Sequence, residues 1–166
     1  MRLLAIDPGN TESAFALIDA DDCRPVDFGK MPNPDLMRRL HAGDIALNPP
    51  RAVVEMVASY GMAVGAEVFE TCVWIGRFAQ FLETRLDQPP VLVKRLPVKV
   101  HHCHDSRAKD TNIRQALVDR FAPGQPNHGK GTKAAPGWFY GFHSDIWAAY
   151  ALAVYAADTQ EQEAGK

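Results

Sequence analysis

Residues 1–20, MRLLAIDPGNTESAFALIDA, decide how the rest of the chain is read. Leu3, Leu4, Ala5 and Ile6 run straight into Asp7. Pro8, Gly9 and Asn10 then break the strand, and Ser13 to Ile18 resume an apolar run. Two such runs joined by a Pro/Gly/Asn cluster predict a β-hairpin that opens a sheet. Asp7 is the informative residue, because a carboxylate where an apolar strand meets a turn is held rigidly and still reaches a ligand. Its other reading is a turn-initiating Asp bonded to its own backbone.

Two further acids bear on that choice. Arg51 to Val57 (RAVVEMV) has the two-sided apolar character of a buried parallel strand, and Glu55 sits near its C-terminal end. An ionised carboxylate in such a strand needs a partner, either a nearby arginine or a metal ion. If this strand lies parallel to the first, Glu55 and Asp7 arrive at the same sheet edge. The third acid, Asp145, opens the last predicted helix, Ser144 to about Asp158, which is apolar almost all round and so expected to be buried. With Ser144 as cap, Asp145 either favours the helix dipole or points toward Asp7 and Glu55.

Between these landmarks the chain alternates strands and helices. Arg24 to Met31 is a third short strand, antiparallel to the second. Asn33 is a candidate N-cap for a helix over Pro34–His41, and Asn48-Pro49-Pro50 closes that connection. Residues 65–86 form a long helix with Val68, Phe69, Cys72, Val73, Gly76, Ala79 and Leu82 as its expected buried stripe. Val91 to Lys94 is a fifth strand. Leu96 to Cys103 makes one or two helical turns, and Asp110-Thr111 caps a helix that buries Ile113, Ala116, Leu117 and Phe121. Residues 122–141 are expected as a long, flexible basic loop, and 159–166 as a disordered tail.

Composition narrows the classes. The 166 residues are 46% hydrophobic, enough for one domain with a real core. The longest apolar run, Ile146 to Ala157, has twelve residues and falls short of the roughly 20 that span a bilayer. Cys23, Cys72 and Cys103 are odd in number and scattered, which points to a reducing, cytoplasmic setting and not to a disulfide framework. Net charge is −2, yet residues 94–133 hold nine Lys/Arg against three Asp, so that segment carries +6 and the remainder −8. Such asymmetry suits a face that meets a polyanion. Lys99, Arg107, Lys109, Arg114, Lys130 and Lys133 are the candidate phosphate contacts, with Arg107, Lys109 and Arg114 gathered at one helix start. Tyr60 and Met62, on the loop after Glu55, are candidates for stacking on bases. The contiguous run His101, His102, Cys103, His104 lacks the spaced pairs of a structural zinc site, and polar contacts with phosphate suit it better.

Convergent carboxylates suit phosphodiester hydrolysis. That reaction needs an activated water and a neutralised leaving oxygen, which two divalent ions about 3.5–4 Å apart supply together. Mg²⁺ prefers carboxylate and water ligands, so Asp7, Glu55 and Asp145 form a minimal donor set.

On these residues LLAIDPGNTESAFALID, AVVEMV and HSDIWAAYALAVYA resemble the RuvC-type Holliday-junction resolvases, in particular their short phage-encoded relatives, within the RNase H-like superfamily. AKDTNIRQALVDRF is similar to those relatives too. The resemblance implies an α/β fold with a mixed five-stranded sheet in 3-2-1-4-5 order flanked by helices. It also implies a homodimer and Mg²⁺- or Mn²⁺-dependent nicking of branched DNA. It maps metal-binding, catalytic positions onto Asp7, Glu55 and Asp145, a basic catalytic residue onto Lys109, and a wedge onto Tyr60 or Met62. The bacterial pattern has two C-terminal ligands three residues apart, whereas here Phe142 and Ala148 flank Asp145 at that distance, so His143 is the candidate fourth ligand. A branched-DNA-binding protein of the same fold without cleavage is the alternative. The Asp-x-Gly-Asn turn also resembles the phosphate-binding turn of actin-like kinases, but the chain lacks their second Gly-rich loop and the length for two lobes.

Overall fold

The computed structural model describes residues 1–45 and 51–164, the last five of them by backbone alone. The Asn48-Pro49-Pro50 connection and the final two residues of the expected tail lie outside the described residues. Three strands, β1 (Arg2–Asp7), β2 (Glu12–Asp19) and β3 (Pro25–Pro32), form an antiparallel meander. After α1 (Asn33–Ala42), β4 (Arg51–Met56) enters parallel to β1. Next α2 (Ala66–Leu86) carries the chain over to β5 (Val91–Lys94), parallel to β4. The remaining helices are α3 (Arg95–Cys103), α4 (Asp110–Phe121) and α5 (Ile146–Ala164). The sheet order is β3-β2-β1-β4-β5, as expected.

Strand alternation divides the interior into two cores. Leu3, Ala5, Ala14, Ala16, Val53 and Val93 face α3, α4 and α5, while Leu4, Ile6, Phe15, Leu17 and Val54 face α1 and α2. By the same period of two, Asp7 and Glu55 fall on the α5 face. The register pairs Ile6 with Val54, so one further step sets Asp7 beside Glu55. Across β1 and β2, Asp7 pairs with Ala14, and across β2 and β3, Ala14 pairs with Lys30. Lys30, Ala14, Asp7 and Glu55 thus form one row across four strands.

The turn after Asp7 is locked by a side chain expected elsewhere. Asn33 does not cap α1 but is fully buried. Its Nδ2 donates to the Gly9 carbonyl (2.9 Å), and its Oδ1 accepts from Ser13 Oγ (2.5 Å), which accepts in turn from Gly9 N (3.2 Å). A Cβ on Gly9 would lie 2.3 Å from the Glu12 carbonyl oxygen, so only glycine fits. Burying two polar side chains is tolerable because each is fully partnered.

Helix α2 carries two apolar stripes, and the fully buried one shares only Leu82 with the expected stripe, whose Val68, Cys72 and Ala79 are half-buried. Thr71, Ile75, Phe78 and Leu82 are buried, while Phe69 and Val73 are 64% and 62% exposed. Ile75, Phe78 and Leu82 each gain roughly 1.5–3 kcal/mol from burial, which fixes the rotation of the helix. The stripe headed by Phe69 is left facing outward.

Residues 122–141 contain no helix and a single isolated bridge, Gly131 to Pro136, yet they are closely knit. Gly137 N donates to Lys130 O, Phe139 N to Gly129 O, and Thr132 N to Ala135 O. Phe139 is fully buried against Phe142, Trp147 and Tyr150. Gly129, at φ +77°, passes so close that a Cβ would sit 2.5 Å from Ala122 Cβ. Its own backbone bonds and one aromatic anchor give the expected long basic loop a defined path. Helix α5 continues to Ala164, through most of the expected tail.

Two histidines of the run turn inward, toward α5. His101 Nε2 meets Asp158 Oδ2 at 2.7 Å, and Arg120 grips the same carboxylate at 2.6 and 2.9 Å, joining α3, α4 and α5. His102 donates from Nε2 to the Ala151 carbonyl (2.8 Å), and burial lowers its pKa to about 4. Because the folded chain resists a proton that the unfolded chain accepts near pH 6.5, stability falls as pH drops from about 6.5 to about 4. The expected loss is roughly 3 kcal/mol by the lower end of that window. Chemical denaturation of the wild type and His102→Gln across that range checks it: the wild-type curve should bend downward relative to the variant's, and parallel curves would contradict the assignment.

Candidate catalytic carboxylate site

Asp7, Glu55 and Asp145 line one cavity of about 210 Å³, together with Arg95, Asp110, Ile113, Arg114, Ser144, Trp147 and Ala148. Each acid arrives by a simple local rule. Asp7 and Glu55 end neighbouring parallel strands on the face that α5 covers. Asp145 precedes the first turn of α5, its carbonyl accepting from Ala149 N at 3.0 Å. Ser144 adopts a positive φ of 49°, which turns the chain into the helix.

The acids are not equivalent. Burial, reinforced by the charge of Glu55, holds the Asp7 carboxyl well above the usual carboxylate range. Glu55 is raised as well, chiefly by burial, with the Arg95 guanidinium and then Lys99 opposing the shift. Arg95 Nη1 lies 3.2 Å from Glu55 Oε2, and its Nη2 lies 2.5 Å from Asp110 Oδ1. The ion-pair reading of Glu55 is therefore correct, in addition to its place in the cavity. Asp145 is the most open of the three. Its Oδ2 lies 2.7 Å from Lys30 Nζ, which is 3.8 Å from Glu12 Oε2 on its other side.

Other expected site residues are more scattered. Arg114 lines the carboxylate cavity, its guanidinium 4.8 Å from the Trp147 ring centre. Tyr60 and Lys99 line an adjoining cavity with Arg95, Leu96 and Ser106. Tyr60 and Met62 are both exposed, as stacking candidates must be. Lys109 is exposed at the N-cap of α4, its N–H donating to Asn112 Oδ1 (2.9 Å), and it is not among the residues lining the carboxylate cavity. Among the described residues, Arg95 and Lys30 pair with acids of the site. Arg107 is exposed beside Asp105, Lys130 is half-buried, and Lys133 is exposed in the 122–141 segment. His143 is exposed in the turn before α5 and does not line the cavity, so the structure does not bring the candidate fourth ligand to the other three.

The donor set suits a hard divalent cation, since it is all carboxylate oxygen and its buried member is strained by a like charge. As they stand, no three His, Cys, Asp or Glu side chains among the described residues are grouped to hold one ion. Two of the three acids are already drawn to Lys30 and Arg95.

Comparison places the fold. No family model matches this sequence, and no curated protein matches it. Among solved structures, the chain is similar to RuvC of Thermus thermophilus, with a TM-score of 0.65 and 17% identity over 98% of this chain and 97% of the other. It is similar also to T. thermophilus RuvC in complex with a Holliday-junction substrate, with a TM-score of 0.66 and 15% identity over 98% and 96%. The fold is thus the RuvC-like, RNase H-like α/β fold. No helix among the described residues is long and apolar enough to cross a membrane.

Proposed function

We propose that this chain is a structure-selective endodeoxyribonuclease, similar to the short RuvC-like resolvases, which nicks phosphodiesters of Holliday junctions or other branched DNA with Mg²⁺ or Mn²⁺. The observation that carries the reading is the meeting of Asp7, Glu55 and Asp145 in one cavity of a RuvC-like fold. Asp7 is held by the locked turn behind it, Glu55 by its buried strand, and Asp145 by the start of α5. Bound divalent ions would supply an activated water and neutralise the leaving oxygen. The chain's own part is to present oxygen ligands in a half-closed cavity and to seat the backbone. Arg114, which lines the carboxylate cavity, and Lys99, which lines the adjoining one, hold the phosphates next to the scissile bond. Arg107, Lys109, Lys130 and Lys133 hold the arms, and Tyr60 or Met62 stacks on bases opened at the branch point.

The test is nicking of a synthetic four-way junction beside a linear duplex of the same sequence, in Mg²⁺ and in Mn²⁺. Metal-dependent nicks in the junction alone support the reading; no cleavage in either metal refutes it. One observation favours the second reading, a non-cleaving branched-DNA-binding protein: two of the three acids are neutralised by the chain's own cations. That protein binds junctions tightly, with a steep salt dependence, and nicks nothing.

A homodimer accompanies the proposal, joined through the outward stripe of α2. Phe69 and Val73 there are exposed in the single chain, beside Met62 and Val64 on the preceding loop. Phe69→Asp is expected to convert a dimer into a monomer by sedimentation velocity with the circular dichroism spectrum unchanged. A variant that sediments as the wild type does would place the interface elsewhere.

A further inference from the structure

We infer that Lys30 is a latch on the metal site: it holds Asp145 away from cations in the free chain and releases it when a DNA phosphate engages the lysine. The inference rests on the metal-dependent reading above. Its basis is a row of side chains that the β-sheet register sets across four strands. Lys30 on β3, Ala14 on β2 and Asp7 on β1 are cross-strand partners, with Glu55 one step beyond. Ala14, the residue between, is small and fully buried, so nothing stands up from β2 to screen the lysine from the acids. The Lys30 side chain is only 24% exposed and ends 2.7 Å from Asp145 Oδ2, in charge-assisted contact.

Two partners compete for Asp145 at that oxygen, the lysine and a divalent ion. An ammonium 2.7 Å from Oδ2 competes with a divalent ion for that carboxylate and repels it, so the ion binds more weakly while the pair stands. Lys30 has a second acid, Glu12 at 3.8 Å, as a partner once it lets go. It touches the cavity through Asp145, the most open of the three acids. A phosphate that pairs with Lys30 offsets the lost ion pair and frees Asp145 at the same moment, so the site fills with metal when substrate is present. Metal and DNA binding are then positively coupled, and each strengthens the other by the same factor. Lys30 is a positioning residue in this scheme, acting through Asp145.

The test is Mn²⁺ binding to the full chain without DNA, by titration calorimetry. Lys30→Met keeps the buried stem and removes the charge; it is expected to bind Mn²⁺ roughly tenfold tighter than wild type, the scale of one partly buried charged pair. Lys30→Arg keeps the pair and should match wild type. In an Asp145→Asn background, Lys30→Met should bring no gain, which a merely structural lysine would not predict. Equal or weaker Mn²⁺ affinity in Lys30→Met, with Asp7→Asn still lowering affinity, overturns the latch and leaves the nuclease reading standing. Absence of Mn²⁺ binding in wild type, Lys30→Met and Lys30→Arg alike overturns the metal reading and the latch with it.

Discussion

Asp7→Asn is expected to end metal-dependent nicking while making the protein more stable. The loss of activity should be on the order of a thousandfold or more, the scale on which one preorganised electrostatic group acts. The gain in stability follows from the sign of the shift. Burial and Glu55 raise the pKa of Asp7 in the folded chain, so the fold is favoured while the carboxyl keeps its proton. That favour is lost as pH rises through the unfolded value toward the folded one. Once that proton is lost the wild type carries a buried charge at a cost, which the neutral amide never incurs. Thermal melts should show Asp7→Asn several degrees above wild type, with the gap widening as pH rises above the ordinary carboxylate range. A variant that is both inactive and less stable would mean that Asp7 is a structural acid with satisfied partners. Sites strained for function commonly show this trade of stability for activity.

Phe139→Ala should have the largest effect on the fold. Phe139 has no exposed surface and packs at 4.7 to 5.5 Å, ring centre to ring centre, on Trp147, Phe142 and Tyr150. Truncating a fully buried phenylalanine costs about 3–5 kcal/mol in transfer and cavity terms. For a chain of this length that lowers the melting temperature by roughly 10 °C or more. The damage extends to the site, because Phe142 and Trp147 stand on either side of Asp145 in the chain and both lean on this ring. Nicking by the folded fraction should fall as well, and the 122–141 segment should become sensitive to protease. Phe139→Leu, which leaves a smaller void, should lose less on every measure. If Phe139→Ala melts within a degree or two of wild type, the segment is not anchored as described.

Much of this arrangement is legible in the residues themselves, and the parts that are not share a cause. The five strands show because apolar runs punctuated by Pro, Gly and Asn report the backbone directly. Asp7 and Glu55 stand out because a carboxylate near the end of an apolar strand has few ordinary reasons to be there, and Asp145 because it opens an almost wholly apolar helix. Rotation of α2 is a different matter: a helix with Ile75, Phe78 and Leu82 on one stripe and Phe69 and Val73 on another offers two faces, and only the packed sheet chooses. Asn33 has the composition of a cap, but its partners Gly9 and Ser13 lie more than twenty residues away or nearly so, beyond any local rule. Lys30 and Arg95 were missed as site residues for the same reason. The one signal for Lys30 is its register: once β1, β2 and β3 are paired, it falls in line with Asp7. Arg95 follows the last residue of β5, one strand from Glu55, and it shows only when the order β1-β4-β5 is known. His101 and His102 are near neighbours of basic residues in sequence but partners of α5 in space, where Asp158 and the Ala151 carbonyl take up their polar atoms.

The central claim is that Asp7, Glu55 and Asp145 share divalent metal. A crystal of the wild-type chain soaked in Mn²⁺ tests it directly through anomalous scattering at the manganese edge. The expected result is at least one manganese peak within about 2.1 Å of oxygens from Asp7 and a second of these acids. Lys30 Nζ should by then have moved away from Asp145. Well-ordered carboxylates with no peak among them at saturating Mn²⁺, and Lys30 and Arg95 still in place, would contradict the account.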